Sequence, residues 1–297
     1  MAQRHTLGQV VDRVAARFES AGLYFGHGTE SAWDEAAWLV LHVLGLPVTD
    51  PVPIDHPVER ESLCMIDQLV GARIGTRMPL AYLLGEAWFA GRSYYVDERV
   101  LVPRSPIAEL IEQRFAPWLR PGPVGRVLDL CAGSGCIGIA CAHAFPEAQV
   151  DLGEVSEGAL EVARINIARH RVTARVNAVR SDLFEAFGGR RYDLIVSNPP
   201  YVPQAELAAL PAEYRREPAL GLAAGADGLD LVRRILAGAG RHLTPTGLLV
   251  VEVGDGAERL EAAFPRVPFQ WVALERGGEG VFVLDAAECM RLAGRTL

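Results

Sequence analysis

Apolar positions recur with a helical period through the first quarter of the chain. Leu7, Val11, Val14 and Phe18 fall on one helical face, and Gly22 is placed to end that helix. Trp33, Ala37, Val40 and Leu44 repeat the spacing up to Gly45 and Pro47, and Leu63, Ile66, Val70 and Ile74 give a third stripe. Three amphipathic helices predict a small bundle, serving either to recognise a partner or as a structural appendage. Between the first two, the glycines of Tyr24-Phe25-Gly26-His27-Gly28 point to a shaped loop.

The pattern then changes. From Glu86 to Pro103 it favours short strands, with Trp88-Phe89 and Tyr94-Tyr95-Val96 flanking Gly91-Arg92 as a hairpin. Ser105 and Pro106 fit the cap and first position of a helix expected to reach about Leu119, before Pro121-Gly122-Pro123. Beyond it, apolar runs of strand length alternate with helical stripes. Strands are predicted at Val127–Leu130, Val150–Leu152, Arg175–Val179, Tyr192–Ser197, Leu248–Val251, Phe269–Val272 and Val281–Leu284. One intervening helix starts at Ser156 and faces inward with Leu160, Ala163 and Ile167; another carries Leu229, Val232, Leu236, Ala239 and Leu243. This alternation predicts an α/β domain with a seven-stranded, mostly parallel, doubly wound sheet that binds ligands at the carboxyl ends of its strands. The last two strands share a hairpin-like link through Gly277-Gly278-Glu279-Gly280, so one of them should run antiparallel. The expected boundaries are a helical domain over 1–84, a hairpin linker over 85–103 and the α/β domain over 104–297.

The bulk numbers narrow the classes. The chain has 297 residues, half of them hydrophobic, and a net charge of −8. An acidic balance argues against a general or sequence-specific nucleic-acid binder and suits a basic protein partner. Cys64, Cys131, Cys136, Cys141 and Cys289 are odd in number and not spaced as metal pairs, which predicts reduced thiols and no metal site. Met1–His5 leads into an amphipathic helix rather than a signal-peptide core. The longest apolar stretch, Ala36–Leu46, is interrupted by His42 and too short to span a bilayer. A cytoplasmic protein without a membrane partner is therefore expected.

Chemistry concentrates after the first and fourth sheet strands. Asp129-Leu130-Cys131-Ala132-Gly133-Ser134-Gly135 lies between a strand and a helix, where Gly133 and Gly135 admit a ligand to the backbone and to a helix N-terminus. Glu154 ends the next strand, placed to accept two ribose hydroxyls. Asp182 follows the third, placed to accept from an adenine amino group while Leu183 packs on the ring. The same glycines satisfy a dinucleotide pattern, so a nicotinamide dehydrogenase is a competing reading. Against it, Asp129 would repel a pyrophosphate but hold an ammonium, which favours S-adenosylmethionine. The fourth strand runs into Asn198-Pro199-Pro200-Tyr201. Prolines stiffen this corner and supply no N–H, so the Asn198 side-chain oxygen and the Pro199 carbonyl form a wall of acceptors beside the Tyr201 ring. Such a wall suits an NH₂ on an sp² carbon, for which hydride transfer has no use.

With these elements in this order, nearly the whole chain resembles the class I, Rossmann-like methyltransferases that modify the side-chain amide of glutamine in translation proteins. Within them it is most similar to the branch acting on the third protein of the large ribosomal subunit. That likeness rests on Tyr24–Thr29, Val100–Ile107, Asp129–Cys136, Tyr214–Pro218, Gly225–Gly228 and Gly277–Phe282. The branch acting on peptide chain release factors usually has Pro-Asp-Thr where this chain has Ser105-Pro106-Ile107. Glu154 stands where the family more often has Asp. The resemblance implies methyl transfer from S-adenosylmethionine to a glutamine amide held by Asn198, Pro199, Pro200 and Tyr201. The cofactor would be bound by Asp129, Cys131, Ala132, Gly133, Ser134, Gly135, Glu154, Asp182, Leu183 and Asn198, and the helical domain would recognise the substrate. His27, His42, His143 and His242 are read as surface or packing residues, and Arg104 either as support for the site or as a carboxylate's partner. The rivals are an adenine-amino methyltransferase acting on nucleic acid and an assembly factor that only binds the cofactor and a ribosomal protein.

Overall fold

A computed structural model of the protein describes residues 5–48 and 51–293. The reading of Met1–Arg4 as the approach to the first helix lies outside them. The chain divides into two compact units. The first holds the described residues up to Glu98, together with Val102–Arg104 and Pro211–Glu217; the second holds the remainder.

The first unit is built from helices α1 (Leu7–Ser20), α2 (Ala32–Leu44), α3 (Arg60–Thr76) and α4 (Leu80–Leu84). A capping box between Thr6 and Gln9 starts α1, whose Leu7, Val11, Val14 and Phe18 are all buried. In α2 the buried face differs from the one expected. Ala32, Ala36, Leu39 and Val40 face the core, while Trp33 is 53% exposed and Ala37 is half-buried. The reason is polar: Glu35 turns inward to meet the buried Arg73 of α3, Nε to Oε1 at 2.7 Å, and this rotates the helix relative to its apolar stripe. No stripe announced α4, which is too short to show a period. Strands β1 (His5–Thr6) and β2 (Pro57–Val58) make a small antiparallel pair. β3 (Ala87–Phe89) and β4 (Arg92–Tyr94) form the expected hairpin, with Tyr95 and Val96 already outside its ladder.

The second unit opens with α5 (Ile107–Glu112), which stops well short of Leu119. Arg114 and Phe115 adopt left-handed φ of 52° and 58°, the Phe115 N–H bonds back to the Leu110 carbonyl at 2.7 Å, and its ring is buried. Burying that ring ends the helix before the proline-rich stretch does. Then follow β5 (Arg126–Leu130), α6 (Cys136–Ala144), β6 (Gln149–Glu154), α7 (Glu157–Arg169), β7 (Val176–Arg180) and β8 (Tyr192–Ser197). The chain ends with α8 (Asp230–His242), β9 (Leu243–Glu252), α9 (Ala257–Ala263), β10 (Gln270–Trp271), β11 (Val281–Asp285) and α10 (Ala286–Leu292). The strands lie in the order β10-β11-β9-β8-β5-β6-β7. β11 runs antiparallel to both neighbours, and the pairs from β9 to β7 are parallel. Central strands carry continuous apolar runs because both faces are covered: Leu128, Leu130, Leu194, Ile195 and Val196 are fully buried. From β5 the strand order proceeds one way through β6 and β7 and the other way through β8 and β9. That reversal opens a crevice at the carboxyl ends of β5 and β8.

Candidate active site

Strand register brings the singled-out residues of the second unit to one end of the sheet. Leu130 of β5 pairs with Gly153 of β6 and with Ser197 of β8. The glycine loop, Glu154 and Asn198 therefore leave three adjacent strands at the same level. Neighbouring strands lie about 4.8 Å apart, so Glu154 and Asn198 flank the loop two spacings, roughly 10 Å, from one another. Asp182 emerges one strand further out, after β7.

The loop is held from two sides. One Glu154 carboxylate oxygen accepts from the Gly133 N–H at 2.9 Å, and the other from the Ser156 N–H at the start of α7, also at 2.9 Å. Asn166, fully buried on α7, donates from Nδ2 to the Ser134 carbonyl at 2.9 Å. Gly133 has a left-handed φ of 53°, and nothing lies within 4 Å of where its Cβ would stand. A side chain there would strain the turn and fill space that a ligand can take. Asp129 is 1% exposed. Its Oδ2 accepts from the Gly138 N–H in the first turn of α6 at 2.8 Å, and Oδ1 is buried without a partner among the described residues. Burial lifts this carboxyl to about 8, against the lowering effect of the Gly138 N–H. Burial likewise raises the Cys131 thiol, and the Cys136 thiol to about 12, so neither is a thiolate nucleophile.

S-adenosylmethionine, a nucleoside carrying an amino acid, fits this set. Asp129 Oδ1 is an orphaned acceptor suited to an ammonium. Each Glu154 oxygen takes one N–H and keeps a lone pair for a hydroxyl. Asp182 pairs with Arg234 at 2.8 Å, both side chains being nearly half exposed, an arrangement that holds the carboxylate only weakly. Leu183 has a φ of 50° and is buried.

At the end of β8, Ser197 Oγ donates to the Leu130 carbonyl at 2.8 Å and fixes this strand end against β5. Pro199 is buried, and Asn198, Pro200 and Tyr201 are half-buried. No hydrogen bond engages the Asn198 side-chain amide among the described residues. The Tyr201 hydroxyl donates to Glu252 Oε1 at 3.1 Å, and Glu252 Oε2 accepts from Ser105 Oγ at 2.5 Å. Gly228, at a φ of 79°, lets the chain approach the Tyr201 carbonyl, which a Cβ there would meet at 2.2 Å. Val202 bonds to Leu222 and Ala224, so the stretch after the two prolines is tied down. Ser105, read from sequence as a helix cap, also accepts from the Ile107 N–H at 3.2 Å. Asn166 and Glu252 were not singled out by the sequence. Only their position beside the loop and the Tyr201 hydroxyl reveals them.

Arg104 is in the first unit and pairs there with Glu217 through its two terminal guanidinium nitrogens, at 2.7 and 2.8 Å. His27 is buried, with Nε2 3.5 Å from Glu217 Oε2, within ion-pair range but outside hydrogen-bond geometry. His143 lies within hydrogen-bond distance of His170 at 3.3 Å, and His242 stacks on Phe184 with Nδ1 3.2 Å from the Arg190 carbonyl.

Comparison with known proteins identifies a methyltransferase family and fold. Residues 113–212 match a family model described as methyltransferase small domain. The ribosomal protein uL3 glutamine methyltransferase of Bordetella pertussis is 48% identical over 282 residues, 94% of this chain and 94% of that relative. The protein of the same name from Francisella tularensis is 44% identical over 289 residues, 97% of this chain and 92% of its own length. Among solved structures, the hMettl16 catalytic domain in complex with MAT2A 3'UTR hairpin 1 is similar at a TM-score of 0.50 and 14% identity, covering 78% of this chain and 84% of that one. At that identity the likeness shows the fold alone.

Proposed function

This chain belongs to the family of ribosomal protein uL3 glutamine methyltransferases, and from that premise we propose that it methylates the side-chain amide nitrogen of a glutamine in ribosomal protein uL3. Its methyl donor is S-adenosylmethionine, which supplies an electrophilic methyl group when bound. Asp129 holds the donor's ammonium, the backbone from Cys131 to Gly135 cradles it, Glu154 accepts from the ribose, and Asp182 and Leu183 take the adenine. Asn198 and the Pro199 carbonyl accept the two N–H bonds of the substrate amide. An amide nitrogen is a poor nucleophile because its lone pair is shared with the carbonyl. Acceptors on both N–H bonds favour the rehybridised, positively charged nitrogen of the transition state, and fixed orientation lowers the barrier further. Pro200 keeps this corner stiff, and Tyr201, its hydroxyl tied to Glu252, packs beside the amide plane. The helical first unit recognises the protein substrate, and the reaction belongs in the cytoplasm. No helix among the described residues is long and apolar enough to cross a membrane.

One observation carries the reading: an asparagine amide with no protein partner among the described residues follows strand β8, next to a glycine loop pinned by Glu154. The test is tritiated methyl transfer to separated uL3 and rRNA. We expect label in the protein, and Asn198→Ala to lower transfer about a hundredfold to a thousandfold with cofactor affinity within about twofold of wild type. Normal turnover in that variant, or label in rRNA alone, would overturn the reading.

A further inference from the structure

A cavity of about 600 Å³ lies within the first unit, well away in sequence from the residues assigned above. Its wall is mainly apolar, with Leu7, Val11, Trp33, Ala37, Leu41 and Ile54 among its lining residues. At the outer part of the wall stand two exposed carboxylates, Glu30 and Asp34, beside the exposed Trp33 and Ile54. Trp33 is held in place through Nε1, which donates to Asp12 Oδ1 at 3.2 Å.

We propose that this cavity is an anchoring pocket for a segment of the protein substrate, an inference that rests on the reading of uL3 as that substrate. One large apolar side chain enters between α1 and α2. A lysine or arginine next to it meets Glu30 and Asp34. The charge pattern selects this occupant. A protein that lies against ribosomal RNA is rich in Lys and Arg, and the pocket offers carboxylates at its edge. Trp33 and Ile54 provide the apolar contact that central anchors of protein interfaces use.

The experiment measures direct binding of purified uL3 by calorimetry, separately from methyl transfer. Ala37→Phe places a ring in the cavity, and Glu30→Lys reverses a charge at its edge. Neither residue takes part in the proposed chemistry. Ala37→Phe should weaken uL3 binding about tenfold and Glu30→Lys about fivefold, each with wild-type affinity for S-adenosylmethionine. If Ala37→Phe does not fold, Glu30→Lys decides. Equal uL3 affinity in the folded variants overturns the pocket, as does a wild-type protein that does not bind uL3. Wild-type methyl transfer together with unchanged binding in the variants would sink the pocket and keep the reaction. Pocket-dependent binding of uL3 without any methyl transfer would sink the reaction and keep the pocket.

Discussion

Asn198 and Asp129 show how a side chain's neighbours decide what it can offer. Pro199 and Pro200 remove two backbone donors that could have engaged the Asn198 oxygen, and its amide is left without a protein partner among the described residues. Asp129 commits one oxygen to the Gly138 N–H and keeps the other buried and unpaired, at the cost of a carboxyl lifted to about 8. An acid whose folded pKa is raised loses stability as pH rises from its unfolded value near 4 towards 8, because the folded state resists ionisation. A cationic partner reverses that preference. If Asp129 meets the donor's ammonium, S-adenosylmethionine affinity should rise about tenfold per unit between pH 6 and 7.5, below where an α-amino group loses its proton. Fluorescence titration across that window checks it, and Asp129→Asn should flatten the dependence. A flat profile in the wild type would place the ammonium elsewhere. Asp129, Glu154 and Asn198 were legible because each sits at a fixed offset from a glycine loop or a strand end. Asn166 and Glu252 were not. They act on the Ser134 carbonyl and the Tyr201 hydroxyl, 32 and 51 residues away, and no local spacing encodes such bonds.

Strands and helices were readable in proportion to their length. The central strands stood out because burial on both faces produces unbroken apolar runs, and the short glycine link between the last two strands called for one antiparallel strand, which is β11. Errors came where a tertiary contact outweighs local pattern. Glu35 seeks Arg73 and turns α2, and the buried Phe115 ends α5 early. The same holds for Pro211–Glu217, which belongs with the helical unit although residues of the second unit lie on both sides of it. Buried carboxylates fasten it there: Glu213 to Arg73 and Arg77, and Glu217 to Arg104 and the Val102 N–H. Burial alone would raise the Glu217 carboxyl, but His27 and Arg104 hold it at about 2. For a depressed carboxyl the contribution to stability is full above its unfolded pKa, near 4.3, and disappears as pH falls towards 2. That contribution is about 3 kcal/mol. Thermal melts between pH 5 and 2.5 should therefore show a steep loss of stability that Glu217→Gln, already destabilised at pH 7, shows much less. Parallel profiles for the two proteins would mean that Glu217 is not held in this way.

The molecule as a whole is acidic, and it joins a helical unit to a doubly wound sheet whose strand order reverses beside the glycine loop. Its net charge of −8 favours a basic protein over a nucleic acid as the substrate. The fold could not make that choice, since a domain of similar fold is known in complex with an RNA hairpin. Relatives at 44–48% identity over nearly the full length side with the protein. The central claim concerns one atom, the nitrogen that receives the methyl group. Purified enzyme, S-adenosylmethionine and uL3 should yield a protein whose fragmentation by mass spectrometry places one methyl on a glutamine side-chain nitrogen, with none in the Asn198→Ala reaction. A methyl group found on a lysine, on a backbone nitrogen, or only on a nucleobase would contradict the account.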